Sequence, residues 1–356
     1  MRLLWIAPAY APYKDEDFLS TSDYLRSAWN AMAERAEQTA ILPPGSSSRL
    51  MAHSIVVSQG ELQTDIASPD YQKQEDTPCN SALHHMLNMA LSMAGHYDYI
   101  INLGHDSVPH LWMERFNGKL VSIPSASYNN GQWPAGLVIQ KIAREFPENF
   151  CWSSYYQRAS FSAQGGAVIY QPFLKIPSTI GVNQGYLLFA GRIVRDKGLH
   201  FAARIAALTK MPLVVAGTVY EPDYLEECQA IYPDMEVLGP VHREHLFDLM
   251  ANASVFLQVQ STRSGVFEAF GRVTAEALMS GCPVLCFDSG ANSELVTHEV
   301  GCVVREGDLD SACDAIERLR RFTRQDRAAI ACFSKGRFSP SRFAREFESF
   351  LHALDD

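Results

Sequence analysis

The chain lacks several features by which common classes of protein are recognised from sequence. Its 356 residues contain no run of about 18 apolar residues, which a membrane-spanning helix would need. No G-x-G-x-x-G motif follows a strand-like segment, which argues against an oxidoreductase with a dinucleotide cofactor. The eight cysteines form no C-x-x-C pair and the histidines have no metal-ligand spacing. We therefore expect reduced thiols, a cytoplasmic location and no bound metal or other cofactor.

The chain also has no excess of positive charge. Its net charge is −10, with 30 lysines and arginines against 40 aspartates and glutamates. This balance argues against a nucleic-acid partner, because non-specific nucleic-acid binding needs a basic surface. No basic amphipathic helix is evident, so nothing in the sequence supports a peripheral membrane contact. The first ten residues, MRLLWIAPAY, are expected to contain a buried strand rather than a signal peptide.

What the chain does contain is two successive series of strands alternating with helices. This order predicts an α/β protein of two Rossmann-like domains with parallel sheets, facing each other across a cleft. Residues 1–174 are predicted to form the N-terminal domain and residues 185–335 the C-terminal domain. Residues 175–184 have few helix formers and are predicted to link the two. The last segment, residues 336–356, has the pattern of an amphipathic helix and is expected to cross back to the first domain.

One stretch of the second series, residues 255–294, carries the strongest chemical signal. An apolar strand is followed by a polar loop, a helix, a second strand and a loop of small residues, DSGAN. Glu268 lies in the first loop and Glu276 lies about two turns into the helix, so they address different parts of a ligand. Loops at the carboxyl ends of parallel strands are where open α/β sheets bind ligands. The alternative is that Glu276 is solvated and Glu268 stabilises the helix N-terminus.

Further candidates follow two other strands. Arg192 and Lys197 occur where a strand gives way to a helix, and together with a helix N-terminus they would suit a diphosphate. The alternative is that both are solvated surface charges. His105 follows the strand predicted at residues 97–103, on the ligand-binding edge of the first domain, although a lone histidine is often structural.

Four motifs in the second half occur together in a characteristic order. They are GRIVRDKG, VLGPVHREHLFDLMANASVFLQVQ, EAFGRVTAEAL with its two glutamates, and GCPVLCFDSGANSELV. With these motifs the chain resembles the retaining glycosyltransferases of family four, which have the GT-B fold and belong to the glycosyl transferases of group 1. The resemblance extends over residues 186–317, and the first half matches only loosely.

The resemblance implies an enzyme, a hexosyltransferase that uses a nucleotide sugar of the UDP, GDP or ADP type and needs no metal. Arg192 and Lys197 would hold the diphosphate, and Glu276 would bind the ribose hydroxyls. Glu268 and the backbone N–H groups at Phe270 and Gly271 would address the sugar or the reacting centre. The N-terminal domain, with His105, would supply the acceptor, which is a sugar, a lipid-linked molecule or another small molecule.

The first half departs from the family pattern in two ways. A Gly-Gly pair usually follows the first strand, whereas this chain reads APYKDEDFLSTSDYL there. Ser20, Thr21 or Ser22 would have to replace the glycines through hydroxyl and backbone contacts. Ser125 and Ser127 follow the strand after which the family often has a histidine, which leaves His105 as the only nearby histidine. Two alternatives therefore stay open: a sugar-nucleotide-binding protein without transfer activity, and another GT-B activity such as an epimerase or a phosphorylase.

Overall fold

The computed structural model describes most of the chain, namely residues 1–9, 11–15, 20–60, 81–104, 108–128, 134–177, 180–261 and 267–355. These residues form two compact units. The first unit comprises residues 1–174 and 338–356, and the second comprises residues 175–337. Residues 175–184, predicted as a linker, contain neither helix nor strand in their described part.

The first unit contains seven strands and six helices among its described residues. The strands are β1 (Arg2–Ile6), β2 (Glu37–Leu42), β3 (Ser54–Val56), β4 (Tyr99–Gly104), β5 (Leu120–Pro124), β6 (Cys151–Trp152) and β7 (Ala167–Val168). The helices are α1 (Ser20–Met32), α2 (Ser81–Met93), α3 (Val108–Leu111), α4 (Pro134–Glu145), α5 (Tyr155–Ser160) and, from the end of the chain, α13 (Pro340–His352).

The sheet of the first unit is parallel, with the strand order β3-β2-β1-β4-β5. β6 and β7 form a separate parallel pair. Every residue of β4 and β5 is buried, because helices cover both faces of the sheet. The predicted strands of this half are therefore present. The sequence analysis did not predict the short helices α3 and α5, because neither is long enough to show a helical hydrophobic period.

The C-terminal helix α13 belongs to the core of this first unit. Pro340 occupies its first turn and Ser339 caps it by accepting a hydrogen bond from the N–H of Arg342 at 3.2 Å. Its buried face carries Phe343 and Phe347, and the ring of Phe347 stacks on Trp5 of β1 at 6.0 Å. The predicted return of this helix to the N-terminal domain is thus confirmed.

Removal of the Phe347 ring should strongly destabilise the first unit. Phe347→Ala leaves a cavity against the fully buried Trp5, and we expect it to lower the free energy of unfolding by about 3–5 kcal/mol. The control is Phe333→Ala on the second unit, where the ring is 52% exposed and we expect a change within about 0.5 kcal/mol. Urea unfolding measures both, and equal effects would contradict the packing of α13.

Among its described residues, the second unit contains six strands and seven helices. The strands are β8 (Leu187–Ala190), β9 (Leu213–Ala216), β10 (Glu236–Gly239), β11 (Val255–Gln258), β12 (Val284–Phe287) and β13 (Gly301–Val304). The helices are α6 (Leu199–Thr209), α7 (Pro222–Ile231), α8 (Arg243–Asn252), α9 (Arg272–Met279), α10 (Asn292–Leu295), α11 (Leu309–Leu319) and α12 (Arg324–Arg337).

The sheet of the second unit is also parallel, with the order β10-β9-β8-β11-β12-β13. Strands β8, β9 and β12 are apolar throughout and buried on both faces, with one hydrophobic cluster on each side of the sheet. The chain order reverses at β8, which lies between β9 and β11. Such a reversal opens a crevice at the carboxyl ends of the strands. Two Rossmann-like units are thus confirmed, and the cleft between them stays a prediction.

Candidate functional site

The loops after β8 and β11 lie against each other at this reversal. Gly198 ends a short 3-10 turn, Arg195–Lys197, with a positive φ of +78°. A Cβ at Gly198 would lie 1.9 Å from the carbonyl oxygen of Val259, so only glycine fits. The N–H of Ser261 also donates to the carbonyl of Asp196 at 2.9 Å. These contacts hold the turn that carries Lys197 beside the end of β11.

Lys197 and Glu268 form an ion pair at this edge. The ammonium donates a hydrogen bond to the Glu268 carboxylate, and its Nζ also lies 3.4 Å from Oε1 of Gln260. Both charged side chains are about one-fifth exposed, at 21% each. Arg192 is exposed in the same loop as Lys197. Two of the residues that the sequence suggested, 71 positions apart, are therefore in direct contact.

The charges around Glu268 decide its ionisation. Burial raises the pKa of Glu268, but Lys197, by its charge and its hydrogen bond, and Arg192, by its charge, outweigh this effect. The pKa of the carboxyl therefore lies below its ordinary value, and Glu268 is an anion at neutral pH. A carboxylate of this kind accepts hydrogen bonds and stabilises nearby positive charge, but it does not donate a proton.

The loop of small residues after β12 fixes the backbone of Glu268. The N–H of Ala291 donates to the carbonyl of Glu268 at 3.0 Å. Gly290 has a φ of +60°, and a Cβ there would lie 2.6 Å from that same carbonyl oxygen. The two loops that the sequence placed at one edge of the sheet are thus packed together, which leaves the Glu268 side chain to face Lys197.

Glu276 has a different cationic partner. It lies within α9 with its side chain only 7% exposed, and its Oε1 is 2.7 Å from Nη1 of Arg243. Arg243 is the first residue of α8 and follows β10. The interpretation of Glu276 as a solvated residue is therefore wrong, because the helix face that carries it packs against α8.

Phe270 and Gly271 form the entrance to α9. Phe270 is buried, and Gly271 precedes the first helical residue with a φ of +94°, a conformation that favours glycine. A Cβ at Gly271 would lie 3.5 Å from Oγ1 of Thr274 and 3.6 Å from Oδ1 of Asn292. These two buried side chains have no hydrogen-bond partner among the described residues, and the sequence analysis did not single them out.

The edge of the first unit is less fully described. His105 lies outside the described residues, so its role stays a prediction. A different histidine, His110 of α3, is buried and lies 2.6 Å from Oγ of Ser122 on β5. The interpretation of His105 as the only histidine near β5 is therefore wrong. The sequence missed His110 because α3 folds back onto the sheet, which no local pattern shows.

The loop after β1, which lacks the expected Gly-Gly pair, is held by other contacts. Lys14 forms a parallel bridge with Ser47, and Asp15 accepts a hydrogen bond from Oγ of Ser48 at 2.7 Å. The next residues, 16–19, lie outside the described part of the chain. The suggestion that Ser20, Thr21 or Ser22 replaces the glycines stays a prediction.

Other features of the described residues bear on cofactors and membranes. No group of three or more histidine, cysteine, aspartate or glutamate side chains among them is arranged to hold a metal ion. In the same residues, no helix is long and apolar enough to cross a membrane. The seven cysteines in this part of the chain are free thiols. The lack of a metal or cofactor requirement stays a prediction.

Comparison with known proteins supports the family resemblance of the second unit. Residues 184–321 match the family described as Glycosyl transferases group 1. An uncharacterized glycosyltransferase of Methanocaldococcus jannaschii is 32% identical over 151 residues, which cover 40% of this chain and 37% of that protein. A GDP-mannose-dependent alpha-mannosyltransferase of Mycobacterium tuberculosis is 29% identical over 133 residues, which cover 37% of this chain and 33% of the relative. The matched stretches thus span about a third of the length of each relative.

The likeness to solved structures extends over the whole chain. The crystal structure of Anabaena HepE in complex with UDP covers 99% of this chain and 100% of its own, with a TM-score of 0.73 and 17% identity. At this identity the likeness establishes the fold. The protein therefore has the GT-B fold of glycosyltransferases, and its resemblance to the group 1 family is confirmed, whereas family four in particular stays a prediction.

Proposed function

We propose that this protein is a retaining glycosyltransferase that transfers a sugar from a nucleoside diphosphate sugar to an acceptor hydroxyl without requiring a metal ion. The observation that carries the proposal is the Lys197–Glu268 pair beside Arg192. It lies at the carboxyl edge of the sheet, within the segment that matches the glycosyltransferase family.

The cations of this edge suit the leaving group. Negative charge grows on the diphosphate as the glycosidic bond breaks, so Arg192 and Lys197 stabilise the transition state more than the bound donor. Lys197 contacts Glu268 before the donor binds. When the donor arrives, the ammonium shares its charge between the carboxylate and a phosphate oxygen, for which its three donor hydrogens suffice.

The two carboxylates suit the parts of the donor on either side of the diphosphate, namely the sugar and the ribose. Glu268 accepts hydrogen bonds from the sugar, with the N–H groups at Phe270 and Gly271 donating to the sugar oxygens. Glu276, further along α9, accepts from the ribose hydroxyls. The order of the two glutamates along the chain then matches the order of the parts of the donor, which extends from the sugar through the diphosphate to the nucleoside.

Retention of configuration requires the acceptor to arrive on the face from which the diphosphate leaves, or else a covalent nucleophile. We favour attack on the same face. The bond from the anomeric carbon to the phosphate oxygen breaks, with its electron pair leaving on that oxygen. The acceptor oxygen bonds to the carbon, and the acceptor proton passes to the departing phosphate. Glu268 stabilises the positive sugar ring, and its hydrogen bond to Lys197 makes it a poor nucleophile.

The relatives suggest which donors to try first. One curated relative is named for GDP-mannose, and the similar Anabaena structure holds UDP. The nucleotide of this chain is therefore sought among UDP, GDP and ADP. The acceptor is a sugar, a lipid-linked molecule or another small molecule, bound by the first unit.

A thermal-shift screen tests the donor part of the proposal. We expect UDP, GDP or ADP, or a sugar derivative of one of them, to raise the melting temperature. Arg192→Ala or Lys197→Ala should abolish this shift. If no nucleoside diphosphate or nucleotide sugar produces a shift, the proposal is wrong.

Product analysis then tests the chemistry. Transfer measured by NMR should retain the anomeric configuration of the donor, and the rate should be unchanged by EDTA. Slow hydrolysis of the donor without acceptor should also occur. Binding without either hydrolysis or transfer would instead support a sugar-nucleotide-binding protein that has lost catalysis.

A further inference from the structure

Each carboxylate of the two-glutamate motif is paired with a cation from a different loop of the same sheet. Lys197, from the loop after β8, pairs with Glu268, and Arg243, from the start of α8, pairs with Glu276. The family resemblance implies that Lys197 binds the diphosphate, but it implies no role for Arg243. We propose that Arg243 is a positioning residue for the nucleoside: it holds the Glu276 carboxylate in the orientation that accepts the ribose hydroxyls. This inference rests on the proposed function.

The burial of the pair is the first argument. The side chains of Glu276 and Arg243 are 7% and 15% exposed, so both charges have lost most of their water. The desolvation of such a pair largely cancels its attraction, and apolar residues of similar volume often give equal or greater stability. By contrast, the Lys141–Glu145 pair is exposed on both sides and costs little desolvation. A buried pair therefore calls for a reason other than stability.

The geometry of the contact supplies that reason. Nη1 of Arg243 donates to Oε1 of Glu276 at 2.7 Å, a short charge-assisted hydrogen bond. A glutamate side chain has three rotatable bonds, and a bond to one carboxylate oxygen restricts them. A carboxylate has about four acceptor positions, so one bond to arginine leaves capacity for hydroxyl donors. The bond to Arg243 thus restrains Glu276 through one carboxylate oxygen.

The location of Arg243 fits the nucleoside rather than the sugar. α8 follows β10, at the edge of the sheet away from β11, and it packs against α9. Lys197 approaches the motif from β8, so the two cations reach the two glutamates from different strands. Glu276 is thus paired with a cation other than the two that are assigned to the diphosphate. Arg243 therefore controls one end of the donor while Lys197 and Arg192 control the other.

Ribose discrimination tests the inference. Binding of UDP, GDP, ADP and their 2′-deoxy counterparts is measured by calorimetry for the wild type, Arg243→Met, Arg243→Lys and Glu276→Gln. A hydrogen bond to a charged group contributes about 1.5–3 kcal/mol, so the wild type should prefer the ribonucleotide by about 10-fold or more. Arg243→Met should reduce this preference to within about 3-fold, close to that of Glu276→Gln, and leave binding of the 2′-deoxy nucleotide nearly unchanged. Arg243→Lys should restore part of the preference.

Several outcomes separate the possible roles. Arg204→Met, at an exposed position of α6, is the matched control and should keep the wild-type preference. Equal weakening of ribo- and deoxyribonucleotide binding by Arg243→Met would mean a purely structural role and would overturn the inference. A preference that depends on Glu276 but not on Arg243 would also overturn it and leave the proposed function intact. If the wild type binds none of the six nucleotides, the proposed function fails, and the inference fails with it.

Discussion

Lys197→Met is expected to weaken binding of the nucleoside diphosphate by about 10- to 100-fold, because it removes one charge-assisted hydrogen bond. It should lower the rate of transfer by about 100- to 1,000-fold, since charge on the leaving group grows in the transition state. Methionine keeps the length of the partly buried side chain while removing its charge. Calorimetry measures the binding, and initial rates at saturating donor measure the transfer.

The matched control for this substitution is Lys175→Met in the same unit. Lys175 is 60% exposed and lies 3.5 Å from the exposed Glu244, a surface pair of small energetic value. We expect this variant to bind and transfer like the wild type. Wild-type binding by Lys197→Met would show that the Lys197 ammonium does not contact the diphosphate.

Glu268→Gln is expected to separate binding from transfer. The amide keeps the shape of the side chain and removes the negative charge that holds Lys197 in the unliganded protein. Nucleoside diphosphate binding should therefore be unchanged or tighter, because Lys197 no longer has to divide its charge. Transfer should fall by about 100-fold or more, because the positive sugar ring loses its anionic neighbour. Joint loss of binding and transfer would place Glu268 in diphosphate binding or in folding instead.

The same substitution has a consequence for stability against pH. The pKa of Glu268 is lower in the folded protein than its ordinary value of about 4.3, so the ion pair stabilises the fold above that pH. This contribution is lost as the pH falls through the folded pKa. We therefore expect the difference in melting temperature between the wild type and Glu268→Gln to be largest near pH 7 and to shrink below about pH 4.

The control for the pH series is Glu145→Gln. Glu145 lies 3.9 Å from Lys141 in an exposed pair, for which solvent screens most of the attraction. The melting temperature of the Glu145→Gln variant should equal that of the wild type at every pH. A constant offset between the wild type and Glu268→Gln across the series would contradict an ion pair that loses its charge in acid.

The fold was largely predictable because its signals are local. Apolar strands such as 187–190 and 284–287 alternate with helices, and a sheet with helices on both faces needs strands that are apolar throughout. The packing of α13 on the first unit was also predictable from the sequence, since its phenylalanines recur on one face of the helix. The sequence did not predict α3 and α5, because both are too short to show the hydrophobic period of a helix.

The site was predictable only in part. The sequence named Lys197, Glu268 and Glu276 as candidates, because each lies at the end of a strand or in the two-glutamate motif. It did not predict that Arg243 pairs with Glu276, because no local feature of HREHLFDLM indicates that contact. It also missed Asn292 and Thr274, which become neighbours of Gly271 only when two loops meet. For the first unit, the role of His105 and of the loop without glycine stays a prediction.

The sequence by itself determined the kinds of element, their order and the identity of the charged residues at the strand ends, because these depend on periodicity and chain order. Only the tertiary structure decided which charges meet. Glu268 pairs with a lysine 71 residues away and Glu276 with an arginine 33 residues away. The physical reason is the strand order β10-β9-β8-β11, which brings loops from distant parts of the chain to one edge. No local pattern carries that information, since hydrophobic periodicity is the same for any order of strands within a covered parallel sheet.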